Sequence, residues 1–197
     1  MTTSLDLSSR RDLGYLVRPL ALVDLVPFGH LERPNRTIAW PPDANPVMSV
    51  FGFAEACATA IPVRLNGDLT VPVASAPCQA VLKLIAWSER GYDQPRRDAT
   101  DMRILLRAYG DPMNTERLFT TDLQILERYD YDAILAGAAL LGTDAGRSIG
   151  ETGVARLVAI LEPDNRAVER LAQEMGGERR LNAEMLAAFR AGLLTAH

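Results

Sequence analysis

Two basic and two acidic residues between Lys83 and Asp101 have the types and spacing that could do chemistry. Lys83 and Arg90 are seven residues apart, so in a helix they lie on one stripe. Asp98 points toward the apolar face of its own helix, and a carboxylate there needs a charged or hydrogen-bonding partner. Lys83 and Arg90 are the nearest candidates in the sequence. The spacing therefore predicts a polar cluster that joins two helices.

The same stretch is more basic than the rest of the chain. Residues 79–107 contain six basic and four acidic side chains, whereas the whole chain has a formal net charge of -4. A phosphate-bearing ligand would favour this region, and a solvated helix surface explains the charge equally well. Plain structural alternatives stay open. Asp98 could cap a helix, and Arg97 and Asp101 could form an exposed i,i+4 pair. Lys83 could be a solvated surface residue.

Two helices must position this cluster. The first is expected to start near residues 75–77, because Ser75 can cap free backbone N–H groups and Pro77 suits the first turn. It is expected to end at Arg90, before Gly91. The second is expected over residues 97–109, where Gly110 begins a stop signal. The first helix is apolar nearly all round, which is typical of a buried helix.

A third carboxylate, Asp24, lies in a segment that we predict to be a buried strand, residues 19–28. The alternation of side chains in a strand places Asp24 on the face of Leu20, Leu22 and Val26. Two interpretations stay open. Asp24 could be a carboxylate at the strand end that bonds to a loop, or it could be directed at a metal ion or act as a base.

Two blocks of the sequence resemble a known family. The block Lys-Leu-Ile-Ala-Trp from Lys83, then Arg90, then Arg-Asp-Ala-Thr-Asp from Arg97, is similar to the K-x-x-A…R…[KR]-D-x-x-D-L motif of AbiEii/AbiGii-type nucleotidyltransferases, with Met102 at the position of the final Leu. That family includes toxins of abortive-infection and toxin–antitoxin systems. Residues 23–29 (VDLVPFG), followed by 38–42 (IAWPP), resemble the strand that carries its third active-site carboxylate. The resemblance covers residues 20–112 well and the helical tail loosely.

The resemblance implies a partial nucleotidyltransferase-like fold and a reaction. The reaction would transfer a nucleoside monophosphate from an NTP to an acceptor hydroxyl, on RNA or on a protein. Asp24 would bind Mg²⁺. The implied catalytic set is Asp24, Lys83, Asp98 and Asp101, and the implied nucleotide-binding set is Lys83, Arg90 and Arg97. An antitoxin or a second copy of the chain would be the protein partner, in the cytoplasm and away from membranes.

One part of the family pattern is missing from the printed sequence. The family opens with a Gly-Ser turn and an Asp-x-Asp strand, which bind the phosphates and two metal ions, and residues 1–23 hold neither. We therefore expect a family member that lacks its front end and is inactive as this isolated chain. Two alternatives stay open: a non-catalytic remnant that acts as a binding or scaffold protein, and a homologous partner that supplies the missing half.

Composition bounds the remaining possibilities. The chain has 197 residues, of which 48% are hydrophobic and 23% charged, as in an ordinary soluble globular protein. Its acidic balance argues against general nucleic-acid binding, which would show as a basic surface. Cys57 and Cys78 fit no zinc spacing and are expected to be free, buried thiols. We find no apolar segment of the kind that opens a secretory signal.

The expected fold is α/β (α+β), a small mixed sheet flanked by helices. We divide the chain into a leader (1–18), a partial nucleotidyltransferase-like domain (19–112) and a helical C-terminal segment (113–197). A hairpin is expected over residues 61–73 around Asn66-Gly67-Asp68. Further helices are expected over 121–127, 132–141, 152–161, 164–176 and 180–194, with a glycine-punctuated loop between Gly142 and Gly153.

Overall fold

The computed structural model describes residues 25–39, 47–65, 67–90, 96–111, 114–162 and 166–196. The fold is mixed α/β and mostly helical, as predicted. In chain order the elements are β1 (Thr37–Ala39), β2 (Val47–Ser49), α1 (Phe53–Ala58), β3 (Ile61–Arg64), β4 (Thr70–Val73), α2 (Ala76–Arg90), α3 (Arg96–Ala108), α4 (Thr115–Phe119), α5 (Leu123–Arg128), α6 (Ala133–Ile160), α7 (Arg166–Glu174) and α8 (Arg179–Leu194).

The described strands form two separate sheets of two antiparallel strands each, whereas the sequence predicted one small mixed sheet. The difference follows from how the strands are connected along the chain. A parallel pair needs a crossover, whereas each described strand pairs with its neighbour in the chain. The hairpin over residues 61–73 is confirmed, with Ile61 opposite Val73 and Pro62 opposite Pro72. Both strands of a two-stranded sheet are edges, so the prolines are tolerated in the ladder.

Helix α6 lies at the centre of the helical part and packs against α8, α2 and α3. The buried core is continuous across these helices, from Ala80 and Leu84 of α2 to Phe189 and Leu193 of α8. In α3, Met102 and Leu106 are buried, as the 3.6-residue period predicts. The helices that carry the predicted polar cluster are thus held by the main core of the molecule.

The predicted glycine loop between Gly142 and Gly153 is wrong except at one position. The two expected helices are present, but the helical conformation of α6 continues to Ile149 and breaks only at Gly150, which has φ 67° and ψ 177°. Gly142 and Gly146 instead lie where α6 meets α8, and Gly142 is buried against the backbone of Phe189. Glycine permits this close approach because it has no Cβ.

Several other predictions concern single residues or segments. Cys78 is buried, but the prediction for Cys57 is wrong, because it lies on the exposed side of α1. Residues 25–28 are not in a strand, and the rest of the predicted strand, with Asp24 and the leader, lies outside the described residues. Among the described residues, no helix is long and apolar enough to cross a membrane.

Candidate functional site

The predicted pair of helices is present, with bounds close to those expected. Helix α2 begins at Ala76, carries Pro77 in its first turn and ends at Arg90. Helix α3 begins at Arg96. The buried side of α2 includes Val81, Leu84, Ile85 and Trp87. Because those residues take up most of the circumference, Lys83 lies on the remaining stripe that faces the start of α3.

Four charged side chains meet where α2 faces α3, and we call them the Lys83 cluster: Lys83, Arg90, Asp98 and Asp101. Lys83 Nζ lies 3.1 Å from Asp98 Oδ1 and 2.7 Å from Asp101 Oδ2. Arg90 Nη1 donates to Asp98 Oδ2 at 2.8 Å. The sequence-based prediction of a polar cluster between two helices is therefore confirmed.

Exposure differs sharply among the four side chains. The Asp98 side chain is 4% exposed, whereas Lys83 is 32% and Arg90 52% exposed. Both oxygens of the buried carboxylate bond to cations, as a buried charge requires. The outer parts of the two cations remain in contact with solvent. Asp98 thus fixes two cations whose remaining donors face outward.

The geometry decides between the structural alternatives for these residues. Lys83 is held by two carboxylates, so the interpretation as a solvated surface residue is wrong. Asp101 pairs with Lys83, and the alternative, a pair with Arg97, is not among the ion pairs of the described residues. Asp98 lies in the first turn of α3, but its oxygens bond to side-chain cations. Arg97 is exposed on α3 beside Asp98.

Lys83 stays protonated near neutral pH. Partial burial lowers the pKa of its ammonium, but hydrogen bonds to Asp101 and Asp98 outweigh burial and raise the pKa above its ordinary value. A protonated lysine is a poor nucleophile or base and a good partner for an anion. The chemistry open to Lys83 is therefore electrostatic.

The described carboxylates of the cluster do not fit Mg²⁺. This ion needs oxygen ligands with free lone pairs in near-octahedral geometry. Asp98 is buried with both oxygens bonded to Lys83 and Arg90, and Asp101 is bonded to Lys83. A dication would also be repelled by the two neighbouring cations. Asp24, to which the resemblance assigns the metal, lies outside the described residues, so its place in one catalytic set with Lys83 and Asp98 stays a prediction.

A second polar network, which the sequence did not predict, anchors the far end of α3. The hydroxyl of Tyr109 donates to Asp144 Oδ2 of α6 at 2.6 Å, and Arg117 bonds to both oxygens of Asp144 at 2.8 and 3.2 Å. Burial, followed by the hydrogen bond to Asp144, raises the pKa of Tyr109, so it remains a donor. The network fixes the register of α3 against α6.

The composition of the chain also marks Lys83. The chain contains 20 arginines and a single lysine, and that lysine is Lys83. Arginine and lysine are not interchangeable where a compact point charge is needed.

Comparison of the chain with protein-family models, with curated proteins and with solved structures finds no match in any of the three.

Proposed function

We propose that this chain is a nucleotidyltransferase-like protein whose Lys83 cluster binds the phosphates of a nucleoside triphosphate. The observation that carries the proposal is that the only lysine of the chain is oriented by two carboxylates and shares a buried one with Arg90, while both cations stay partly exposed. The motif resemblance supports the same assignment.

The donors that remain on the two cations are suited to phosphate oxygens. Asp98 and Asp101 take two of the three N–H directions of the Lys83 ammonium, and Asp98 accepts from one nitrogen of Arg90. The planar guanidinium keeps further donors for an anion, and charge-assisted bonds of this kind are the strong ones. Arg97, the exposed residue that precedes Asp98, adds positive charge beside the Lys83 cluster. The binding should weaken as salt rises, because partly exposed charges are screened.

The reaction proposed by resemblance is transfer of a nucleoside monophosphate from the NTP to an acceptor hydroxyl, on RNA or on a protein. Such chemistry uses two divalent ions, which clamp the attacking and leaving oxygens. Within this chain, Lys83 and Arg90 would hold phosphate charge, while Asp98 and Asp101 orient the lysine. An antitoxin or a second copy of the chain as partner stays a prediction.

A second candidate function is a non-catalytic scaffold, in which the cluster only joins two helices. The specific observation in its favour is the near-complete burial of Asp98, with both oxygens bonded, across the contact between α2 and α3. In this alternative the cluster stabilises the fold, and the addition of an NTP has no effect on Lys83.

The single lysine gives a direct test of phosphate binding. At alkaline pH, where a fraction of the Lys83 amine is unprotonated, pyridoxal 5′-phosphate followed by borohydride should label Lys83 and the N-terminal amine. The reagent carries a phosphate, and its aldehyde reacts with unprotonated amines. We expect NTP and inorganic triphosphate to protect Lys83 from labelling at low salt, and protection to fall as salt is raised. Mass spectrometry of the peptide that contains Lys83 measures the labelled fraction.

Matched variants separate binding from scaffold roles in this experiment. Arg90→Met should abolish the protection, whereas Arg64→Met should not, because Arg64 is an exposed arginine of β3 outside the cluster. Equal labelling with and without millimolar NTP in the folded wild type would contradict phosphate binding and favour the scaffold.

The isolated chain should not transfer nucleotides. Residues 1–23 hold no Asp-x-Asp, and Asp98 and Asp101 of the implied catalytic set are already bonded to cations, so this set leaves only Asp24 free for the two metal ions. The assay incubates the purified chain with Mg²⁺, each labelled NTP, and total RNA or its own protein as acceptor. Transfer by the wild type that Asp24→Ala abolishes would overturn this prediction.

A further inference from the structure

A groove is lined by residues of α7 and α8 and by Leu161, the residue that follows α6. None of its lining residues belongs to α2 or α3, the helices of the Lys83 cluster. The groove has a volume of about 370 Å³. Its apolar wall is formed by Leu161, Val168, Ala172, Ala183, Leu186 and Ala187. This volume lies within the range of small-molecule sites, about 300–1,000 Å³, and the mostly apolar lining is typical of them.

Small side chains on one face of α8 leave this space open. Ala183 and Ala187 are one helical turn apart and exposed, while Met185 and Phe189 on the opposite face are fully buried in the core. Because the core side of α8 is already packed, the alanine face is free to contact something else. The groove therefore runs along the axis of α8.

Arg190 lies at one end of the groove, and its guanidinium has a donor without a hydrogen-bond partner among the described residues. Its Nη2 donates to Glu162 Oε2 at 3.0 Å. Its Nε is shielded from water and has no hydrogen-bond partner among the described residues. The Nε–Nη2 edge of arginine binds a carboxylate side-on through two parallel bonds. Glu162 is 53% exposed, so it can give way to a ligand at little loss.

Arg179 marks the other end. It lies eleven residues before Arg190 on the same face of α8, about 16 Å away along the helix. Its only ion pair among the described residues is a long one of 3.9 Å to Glu169. The groove thus has an apolar middle and an arginine at each end, of which only Arg190 has a buried donor left unsatisfied.

We infer that this groove binds an unbranched aliphatic carboxylate of medium chain length. The Glu162 side chain moves away, the carboxylate takes its place on the Nε–Nη2 edge of Arg190, and the aliphatic chain lies over Ala187, Ala183 and Leu186. A chain of medium length fits along the groove, because Arg190 and Arg179 lie about 16 Å apart along the helix. The inference is independent of the proposed nucleotide site, since no residue of α2 or α3 lines the groove.

The test measures displacement of a dansylated undecanoic acid from the full chain by fluorescence. We expect decanoate to displace the probe saturably, and decanol to do so more weakly because it cannot form two charge-assisted bonds. Arg190→Met should weaken decanoate about ten-fold or more and leave decanol nearly unchanged. Ala187→Leu should weaken both, because it fills the groove from an exposed position.

Arg180→Met provides the matched control, because Arg180 is an exposed arginine of α8 outside the groove. It should bind decanoate as the wild type does. The inference is overturned if decanoate shows no saturable displacement, if Ala187→Leu leaves binding unchanged, or if Arg180→Met and Arg190→Met weaken it equally. Circular dichroism melts of each variant show that it is folded.

Discussion

Gly192→Ala is expected to destabilise the protein by about 3 kcal/mol or more, although alanine is the better helix former. Gly192 lies in α8 where it crosses α6, and an added Cβ would overlap the backbone oxygen of Ala139 and lie 2.8 Å from the backbone nitrogen of Thr143. Backbone atoms inside a helix cannot move aside as a side-chain tip can. The two helices would have to separate, with loss of packing between them.

The two physical effects predict stability changes of opposite sign for Gly192→Ala. Helix propensity alone predicts that Gly192→Ala stabilises by up to about 1 kcal/mol. The reciprocal control is Ala187→Gly on the exposed side of the same helix, which should lose about 1 kcal/mol from propensity alone. Urea denaturation followed by circular dichroism gives both values. A midpoint for Gly192→Ala at or above that of the wild type would show that α6 and α8 do not approach this closely.

The double variant Lys83→Met/Arg90→Met should lose about 3–5 kcal/mol. Methionine keeps the length of the apolar stem but removes the charge, so Asp98 is left buried without either of its cations. The loss of stability comes from the unpaired charge of Asp98, because its side chain is almost fully buried, and not from removal of the partly exposed cations. Each single variant should lose less, because the other cation still bonds to Asp98.

A rescue distinguishes an uncompensated charge from lost packing. In the double variant, Asp98→Leu should restore most of the stability, since replacing a whole buried ion cluster by apolar residues is often neutral. Asp101, which is partly exposed, can then be solvated. Urea denaturation at neutral pH measures the stability of the wild type, the two single variants, the double variant and the triple variant. A double variant that loses under about 1 kcal/mol would mean that Asp98 reaches solvent.

Local sequence patterns predicted most of the helices and strands that lie in the described residues. The Asn66-Gly67 turn between alternating strands predicted the hairpin of β3 and β4, because turn geometry acts over a few residues. The stop signals after Arg90 and Tyr109 predicted the ends of the two helices to within about two residues. The spacing of Lys83, Asp98 and Asp101 predicted the contact between those helices, because each charge lay on a known face.

The glycines between Gly142 and Gly153 show where local patterns fail. Glycine is typical of loops, and the same lack of a Cβ suits a close helix crossing. Only the position of α8 against α6 decides between the two uses, and that contact joins residues about fifty positions apart. The hydrogen bond from Trp87 Nε1 to Glu174 at 2.7 Å spans 87 positions in the same way.

The sequence by itself therefore determined the class of the fold, the hairpin, the helix pair and the membership of the Lys83 cluster, since these depend on turn chemistry and helical periodicity. The tertiary structure decided how deeply Asp98 is buried, that Asp101 pairs with Lys83 and not with Arg97, and where small residues leave a groove along α8. Burial and close approach depend on elements far apart in the chain, and no local pattern specifies them.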